Sequence, residues 1–135
     1  MFKIVHIIPN LKKGGAERLV LNICNEIQKK NNITITLITF SAHNDYENIS
    51  QEINWVVIPS EFTPSMSGKS VSNIIKLQKY ISQHRPDIIH THLWEAEILC
   101  SQINYGKAKS FTHFHDNIFQ LKNTIIPLSK KELTN

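Results

Sequence analysis

The first 27 residues contain an apolar run, two adjacent glycines and an amphipathic pattern, in that order. The run Ile4–Ile8 is rich in β-branched residues, as buried strands are. Gly14 and Gly15 follow it, and from Ala16 the apolar positions recur at helical spacing. These features predict a strand, a glycine loop and a helix, which is the opening unit of an α/β fold.

One face of this first helix is predicted to pack against a sheet. Its apolar positions are Ala16, Leu19, Val20, Ile23, Cys24 and Ile27. The residues between them are mostly polar, so the opposite face is expected to contact solvent.

The rest of the chain continues this alternation. Further strands are predicted at Ile33–Phe40, Trp55–Ile58, Asp87–Thr91 and Ala108–Phe114. Helices are predicted from Val71 to Pro86 and over Glu95–Ile103, with polar loops at Ser41–Gln51 and Pro59–Ser70. Strands separated by helices favour right-handed crossovers. We therefore predict an α/β fold, a doubly wound, Rossmann-like parallel sheet of about five strands with helices on both faces, in one domain over residues 1–135.

The composition excludes several classes of protein. With 41% hydrophobic and 19% charged residues, the chain is an ordinary globular domain. Its net charge of +4 is spread along the chain, so no nucleic-acid partner is expected. Cys24 and Cys100 fall on apolar helical faces and are expected to be buried free thiols. No segment approaches the roughly 20 apolar residues of a spanning helix, so we expect a cytoplasmic protein.

The glycine loop suggests a chemistry. Gly14 and Gly15 have no Cβ, can take positive φ and let backbone N–H groups approach a ligand closely. The first turn of the following helix adds unpaired N–H groups and partial positive charge. Such a place suits a phosphate. A plain tight turn between strand and helix is the alternative that this pair leaves open.

Histidines cluster near the ends of two predicted strands. His90 and His92 lie at the end of the fourth strand, and His113 and His115, followed by Asp116, lie at the end of the fifth. Members of each pair are two residues apart and share a strand face. If the strand order is 3-2-1-4-5, the glycine loop and both pairs meet at the carboxyl edge where ligands bind.

The remaining histidines are not predicted to have a functional role. His6, inside a strand, is expected to be buried and hydrogen-bonded, and His43 and His84 are expected to be exposed. A metal site built from the two pairs is not expected, because four imidazoles at strand ends need not converge tetrahedrally.

Four segments together carry a family resemblance. They are KIVHIIP at 3–9, GGAERLV at 14–20, RPDIIHTH at 85–92 and FTHFHD at 111–116. In this order they resemble the N-terminal domain of family-four glycosyltransferases, which are retaining, nucleotide-sugar-dependent enzymes of the GT-B architecture.

The resemblance implies roles for individual residues. Gly14 and Gly15 match the loop that approaches the donor diphosphate, and His115 matches the histidine that faces the donor sugar. Supporting positions at the rim of the site are Arg18, His90, His92 and Asp116. The implied reaction needs a nucleotide-sugar donor and a saccharide or lipid-linked acceptor, with no metal and no other cofactor. The implied setting is surface polysaccharide or glycolipid biosynthesis.

The resemblance also implies what else is needed. GT-B enzymes have a second, donor-binding domain, so we expect this chain to be an incomplete enzyme, inactive alone, that works with a missing C-terminal domain or a separate subunit. Phe62, Met66 and Lys69, with Lys76 and Lys79, form a candidate patch for an acceptor or for the inner membrane surface. The alternatives are a non-catalytic module that binds a nucleotide or phosphorylated sugar, and the partner subunit of a split glycosyltransferase.

Overall fold

The computed structural model describes residues 2–60 and 74–113. Within these ranges the chain forms five strands and four helices. They are β1 (Phe2–Ile7), α1 (Gly15–Ile27), β2 (Ile33–Thr39), α2 (Glu47–Ser50), β3 (Asn54–Val57), α3 (Ile74–His84), β4 (Ile88–His92), α4 (Trp94–Cys100) and β5 (Lys109–His113).

All the strands belong to one parallel sheet with the order β3-β2-β1-β4-β5. The chain therefore leaves β1 towards one edge, through β2 and β3, and returns to add β4 on the other side of β1. Val5 at the centre of β1 pairs with Thr36 of β2 and Ile89 of β4. The predicted fold class and strand order are confirmed, and the switch point lies between β1 and β4.

The sheet has an apolar layer on each face. On one face, Val5, Ile7 and Ile89 pack with Leu77 of α3 and Leu99 of α4. On the other face, the helix α1 and the segment with α2 cover β1, β2 and β3. Residues of this second layer include Ile8, Leu11, Val20, Leu21, Cys24, Leu37, Tyr46 and Ile53. Because successive side chains alternate between faces, Ile4, His6 and Ile8 point to the α1 side.

The buried face of α1 differs from the predicted stripe. Val20, Leu21 and Cys24 are its buried residues, whereas Leu19 is 42% exposed. The helix packs through the face that carries Val20 and Cys24, and Leu19 lies outside that face. The prediction for Leu19 is therefore wrong, and Leu21 takes the core position that the pattern had missed.

Some other helix and loop boundaries also differ from those predicted. The helix α3 ends at His84, just before Pro86, as expected from the restriction that proline places on the preceding residue. The helix α4 ends at Cys100, three residues earlier than predicted. The predicted polar loop after β2 contains the short helix α2. Cys24 and Cys100 are both buried free thiols, as predicted.

Candidate functional site at the carboxyl edge of the sheet

The glycine pair lies exposed at the start of α1. Gly14 has a φ of 179°, which is extended backbone, and Gly15 is the first helical residue. The expected positive φ is therefore wrong for this loop. An added Cβ at Gly14 would lie 2.6 Å from the Glu17 Oε1 atom, but one at Gly15 would meet no heavy atom within 4 Å. Open space for an approaching group is therefore found at Gly15, and neither glycine has a left-handed backbone conformation.

The loop before α1 is held by the segment that follows β2. The Gly14 N–H donates to the Tyr46 hydroxyl at 2.8 Å, and that hydroxyl donates to the Gly14 carbonyl at 2.8 Å. The Lys13 N–H donates to the Asp45 carboxylate at 2.8 Å. The amide of Gly14 is thus engaged inside the fold, so Gly15 and the first turn of α1 are left as the candidates for contact with an anion.

Backbone bonds extend this connection. The Leu11 N–H donates to the His43 carbonyl, the Asp45 N–H donates to the Leu11 carbonyl, and Leu11 forms a bridge with Asn44. The Lys13 amide and the His43 ring, both bonded to the Asp45 carboxylate, lower the pKa of that group below its ordinary value. The loop is therefore fixed from one side by a short stretch of chain.

Four imidazoles form a row on the α1 side of the sheet, which we call the histidine row: His6, His90, His92 and His113. Strand register explains it, because His6 is paired with His90 and His92 with His113. Ring centroids are 4.2 Å apart for His90 and His92, and 5.8 Å apart for His92 and His113. Three adjacent strands thus place the rings in contact.

The bond between His6 and His92 lies at the centre of this row. The His6 Nδ1 and His92 Nε2 atoms are 3.0 Å apart, and the two residues are 3% and 0% exposed. Burial, with a smaller electrostatic contribution from the neighbouring His90, lowers the pKa of His6 to about 4. Among the described residues, the His6 Nε2 atom is buried with no hydrogen-bond partner. His6 is buried as predicted, but only one of its ring nitrogens is satisfied there.

Three of these imidazoles are close enough to be considered as metal ligands. Nitrogen atoms of His6, His90 and His92 lie within 4.8 Å of one another. The ring planes of the three imidazoles, however, make angles of only 22° to 34° with one another, and His92 is stacked on both of the other rings. Imidazole lone pairs lie in the ring plane, and a bound metal needs them to meet at about 2.0–2.1 Å. Without rotation of the rings, this arrangement does not fit a metal centre.

An open groove borders the histidine row. Its volume is ≈ 520 Å³, and its apolar walls come from α1 and from the three strands β1, β4 and β5. The lining side chains include Ile4, Ile23, Ile27, Ile88, Phe111 and the rings of His6, His90 and His113. Phe111 is 51% exposed.

The turn after β4 brings α4 towards the glycine loop. Leu93 has a φ of 73°, and its N–H donates to the His113 carbonyl. A leucine at this φ is strained, and such strain is concentrated at functional sites. Leu93 packs against the apolar layer that contains Leu11 and residues of α1, so the start of α4 lies near the glycine loop. Desolvation raises the pKa of Glu95, and the charge of Lys12 opposes this rise.

The structure places the predicted residues as follows. Arg18 is exposed on the first turns of α1, His90 is half-buried, and His92 is fully buried instead of lying open at the rim. The predicted residues that lie outside the described ranges are His115, Asp116, Phe62, Met66 and Lys69.

Sequence reasoning missed two contributors to the site. Tyr46 and Asp45 lie in a stretch predicted only as a polar loop, where a lone aromatic residue was the available signal. His6 was expected only to be buried and hydrogen-bonded, whereas the strand order and the register together align it with His90.

A doubly wound parallel sheet with an exposed glycine loop at its switch point defines the α/β domains that receive ligands at the carboxyl edge. The family model for glycosyltransferase family 4 matches residues 13–132. The chain therefore belongs to glycosyltransferase family 4, and its fold is that of an N-terminal GT-B-type domain. No curated protein matches the chain significantly. Among the described residues, none of the helices has the length and apolar content required to cross a bilayer.

Proposed function

We propose that this domain forms the acceptor-side wall of a site that transfers a sugar from a nucleotide-sugar donor. The acceptor is a saccharide or a lipid-linked saccharide, in the assembly of a surface polysaccharide or glycolipid. The observation that carries this proposal is the exposed Gly15 at the start of α1, beside the switch point of the sheet, where a side chain would enter open space.

The chemistry of the leaving group supports a role for this loop. Breaking the bond between sugar and diphosphate develops negative charge on the departing phosphate, and fixed N–H donors that face this charge lower the barrier. The Gly15 amide and the first turn of α1 are such donors. Gly14 contributes as the residue that holds the loop, since its own amide is bonded to Tyr46.

The remaining residues complete the proposed site. His115 faces the donor sugar and positions its hydroxyl groups in a reaction that retains the anomeric configuration. Arg18, His90 and Asp116 are proposed as supporting residues at the rim, and the buried His92 is proposed to support it from within the fold. The scheme requires neither a metal ion nor another cofactor.

The first experiment tests the approach to Gly15. Replacing Gly15 by Ala or Leu places a side chain in the open space, and neither residue strains the first position of a helix. We expect the folding stability to be kept or slightly increased, while binding of UDP and GDP, measured by NMR titration, falls progressively from Gly15→Ala to Gly15→Leu.

The matched control is Gly106→Asn. Gly106 has a φ of 63°, which asparagine tolerates better than most residues, and it lies in the turn before β5, at the opposite end of the strands. This variant should bind the nucleotides like the wild type. Equal binding by the wild type and Gly15→Leu would contradict the proposal.

A second experiment addresses the donor half of the site. We propose that the pocket for the nucleoside part of the donor belongs to a donor-binding domain or subunit that closes against this domain, whereas the diphosphate contacts the glycine loop. The purified 135-residue chain is therefore expected to transfer no sugar from a panel of nucleotide sugars to lipid or saccharide acceptors. Transfer by the chain alone would show that it contains a complete site.

We also propose contact with the inner membrane surface through α3. Ile75 is 67% exposed, and Lys76 and Lys79 are exposed on the same helix. An apolar side chain beside two cations suits an anionic lipid surface.

Cosedimentation with vesicles of phosphatidylglycerol and phosphatidylcholine tests this contact. The double variant Lys76→Glu/Lys79→Glu should lose binding at low salt, whereas Lys29→Glu/Lys30→Glu, with two exposed lysines at the end of α1, should keep it. Equal loss in both variants would show a response to net charge alone.

A further inference from the structure

We propose that Tyr46 is a positioning residue for the donor diphosphate, acting through Gly14 to hold Gly15 and the first turn of α1 in place. This inference rests on the proposed function, since it concerns the same glycine loop. Tyr46 itself lies in the segment between β2 and α2, far from the loop in sequence but bonded to it in the fold.

The Tyr46 hydroxyl uses both of its hydrogen-bonding capacities on a single residue. It accepts the Gly14 N–H and donates to the Gly14 carbonyl, each at 2.8 Å. Together these bonds fix the peptide groups on both sides of the Gly14 Cα atom. They hold Gly14 at its extended φ of 179°, from which the chain enters the helix at Gly15.

The ring of Tyr46 is itself anchored. Tyr46 is 9% exposed and belongs to the apolar layer that contains Leu11, Val20 and Leu21. Its N–H donates to the Asn44 side chain at 2.8 Å. The hydroxyl is therefore presented to the loop by a rigid support.

No other described side chain replaces this contact at the helix start. Gly14 is the N-cap of α1, and it has no side chain with which to cap the first turn. The adjacent bond between the Lys13 amide and Asp45 is exposed to solvent, where competition with water weakens a hydrogen bond. The geometry thus points to Tyr46 as the main determinant of where the Gly15 N–H lies.

The direct test is Tyr46→Phe, which keeps the ring and removes the hydroxyl. Tyr105→Phe is the matched control, because the Tyr105 hydroxyl also donates to a backbone carbonyl, that of Cys100, but at the other end of α4 from the turn that approaches the loop. Both variants of the full chain are labelled with ¹⁵N and titrated with inorganic pyrophosphate and with UDP, and their stability is measured by urea unfolding.

We expect both variants to lose stability, and Tyr46→Phe to lose more than Tyr105→Phe, because it removes two hydrogen bonds instead of one. Only Tyr46→Phe should also lose affinity for the two probes, by about five- to tenfold. Hydrogen exchange of the Gly14 amide should accelerate at least about tenfold in Tyr46→Phe and stay unchanged in Tyr105→Phe.

Two results would overturn the inference. Unchanged affinity in Tyr46→Phe would show that the hydroxyl serves stability alone, and increased affinity would show that it competes with the ligand for the Gly14 amide. If the wild type binds neither probe, the proposed function fails. In that case the amide exchange and chemical shifts of Gly14 and Gly15 still decide whether Tyr46 positions the loop.

Discussion

Acidification should destabilise this domain through His6. The folded environment lowers the pKa of His6 from 6.5 to about 4, because the ring is 3% exposed and close to His90. In the unfolded chain the same imidazole takes up a proton at its ordinary pKa. Between these two values the unfolded state binds more protons than the folded state, so the free energy of unfolding falls as the pH falls.

The magnitude follows from this interval. The contribution of neutral His6 to the free energy of unfolding is fully present above pH 6.5 and is lost progressively down to about pH 4. The complete loss is about 3 kcal/mol, and at pH 5 it is about 2 kcal/mol. A loss of this size is a large fraction of the total stability of a small domain.

Urea unfolding at pH 7.5 and pH 5, followed by tryptophan fluorescence, measures the effect. His90 and His92 of β4 face His6 and can also take up protons, whereas the α1 residues that line the same groove, Ile23 and Ile27, cannot. To separate the effect of His6 from that of the other histidines, the wild type is compared with a variant that lacks the His6 imidazole.

His6→Asn is the informative variant, because its amide nitrogen lies near the position of Nδ1 and can still donate to the His92 Nε2 atom. We expect the free energy of unfolding to fall by about 2 kcal/mol less in this variant than in the wild type. His84→Asn, an exposed position on α3, should behave like the wild type. The same loss in the wild type and His6→Asn would refute the reasoning.

Three further outcomes are expected. Burial raises the pKa of the Cys24 thiol to about 12, so Ellman's reagent should react with it only when the chain unfolds, and rapid reaction of the native protein would contradict this. Leu77→Ala should cost about 2–5 kcal/mol in urea unfolding because Leu77 is 0% exposed, whereas Ile75→Ala on the same helix should cost less than about 1 kcal/mol. His6→Leu should destabilise the fold by removing the hydrogen bond to the His92 Nε2 atom, and the added change His92→Leu should restore part of that loss; strictly additive losses would show that the pair is not coupled.

The sequence was sufficient for the architecture because the signals were long and repeated. Five apolar runs separated by helical patterns left few topologies open, and the order β3-β2-β1-β4-β5 follows from crossover handedness and the usual switch point. Boundaries were less certain. Leu19 and Leu21 are both apolar and flank Val20 on opposite sides of the helix, about 100° away in each direction, so periodicity alone did not decide which one enters the core.

The site was harder to predict because it depends on contacts between distant segments. The glycine loop was recognised from local pattern, but its conformation is set by Asp45 and Tyr46, more than 30 residues later. Nothing local predicts that the Tyr46 hydroxyl meets Gly14. The alignment of His6 with His90 needed the register as well as the strand order.

The histidine row shows why this part of the sheet differs from an ordinary core. Ile4 and Ile88 occupy the same face of β1 and β4, so aliphatic side chains fit there. Burying the His6 imidazole in that place costs desolvation free energy, which its depressed pKa reflects and which the hydrogen bond to His92 offsets only in part. The row begins at the switch point and runs to His113 at the end of β5, the strand that precedes His115 in the chain. If packing alone mattered, isoleucine would serve at the histidine positions as well as it does at Ile4 and Ile88. Histidines there, towards the carboxyl ends of the strands, instead support a polar layer beneath the edge where we propose that the sugar donor binds.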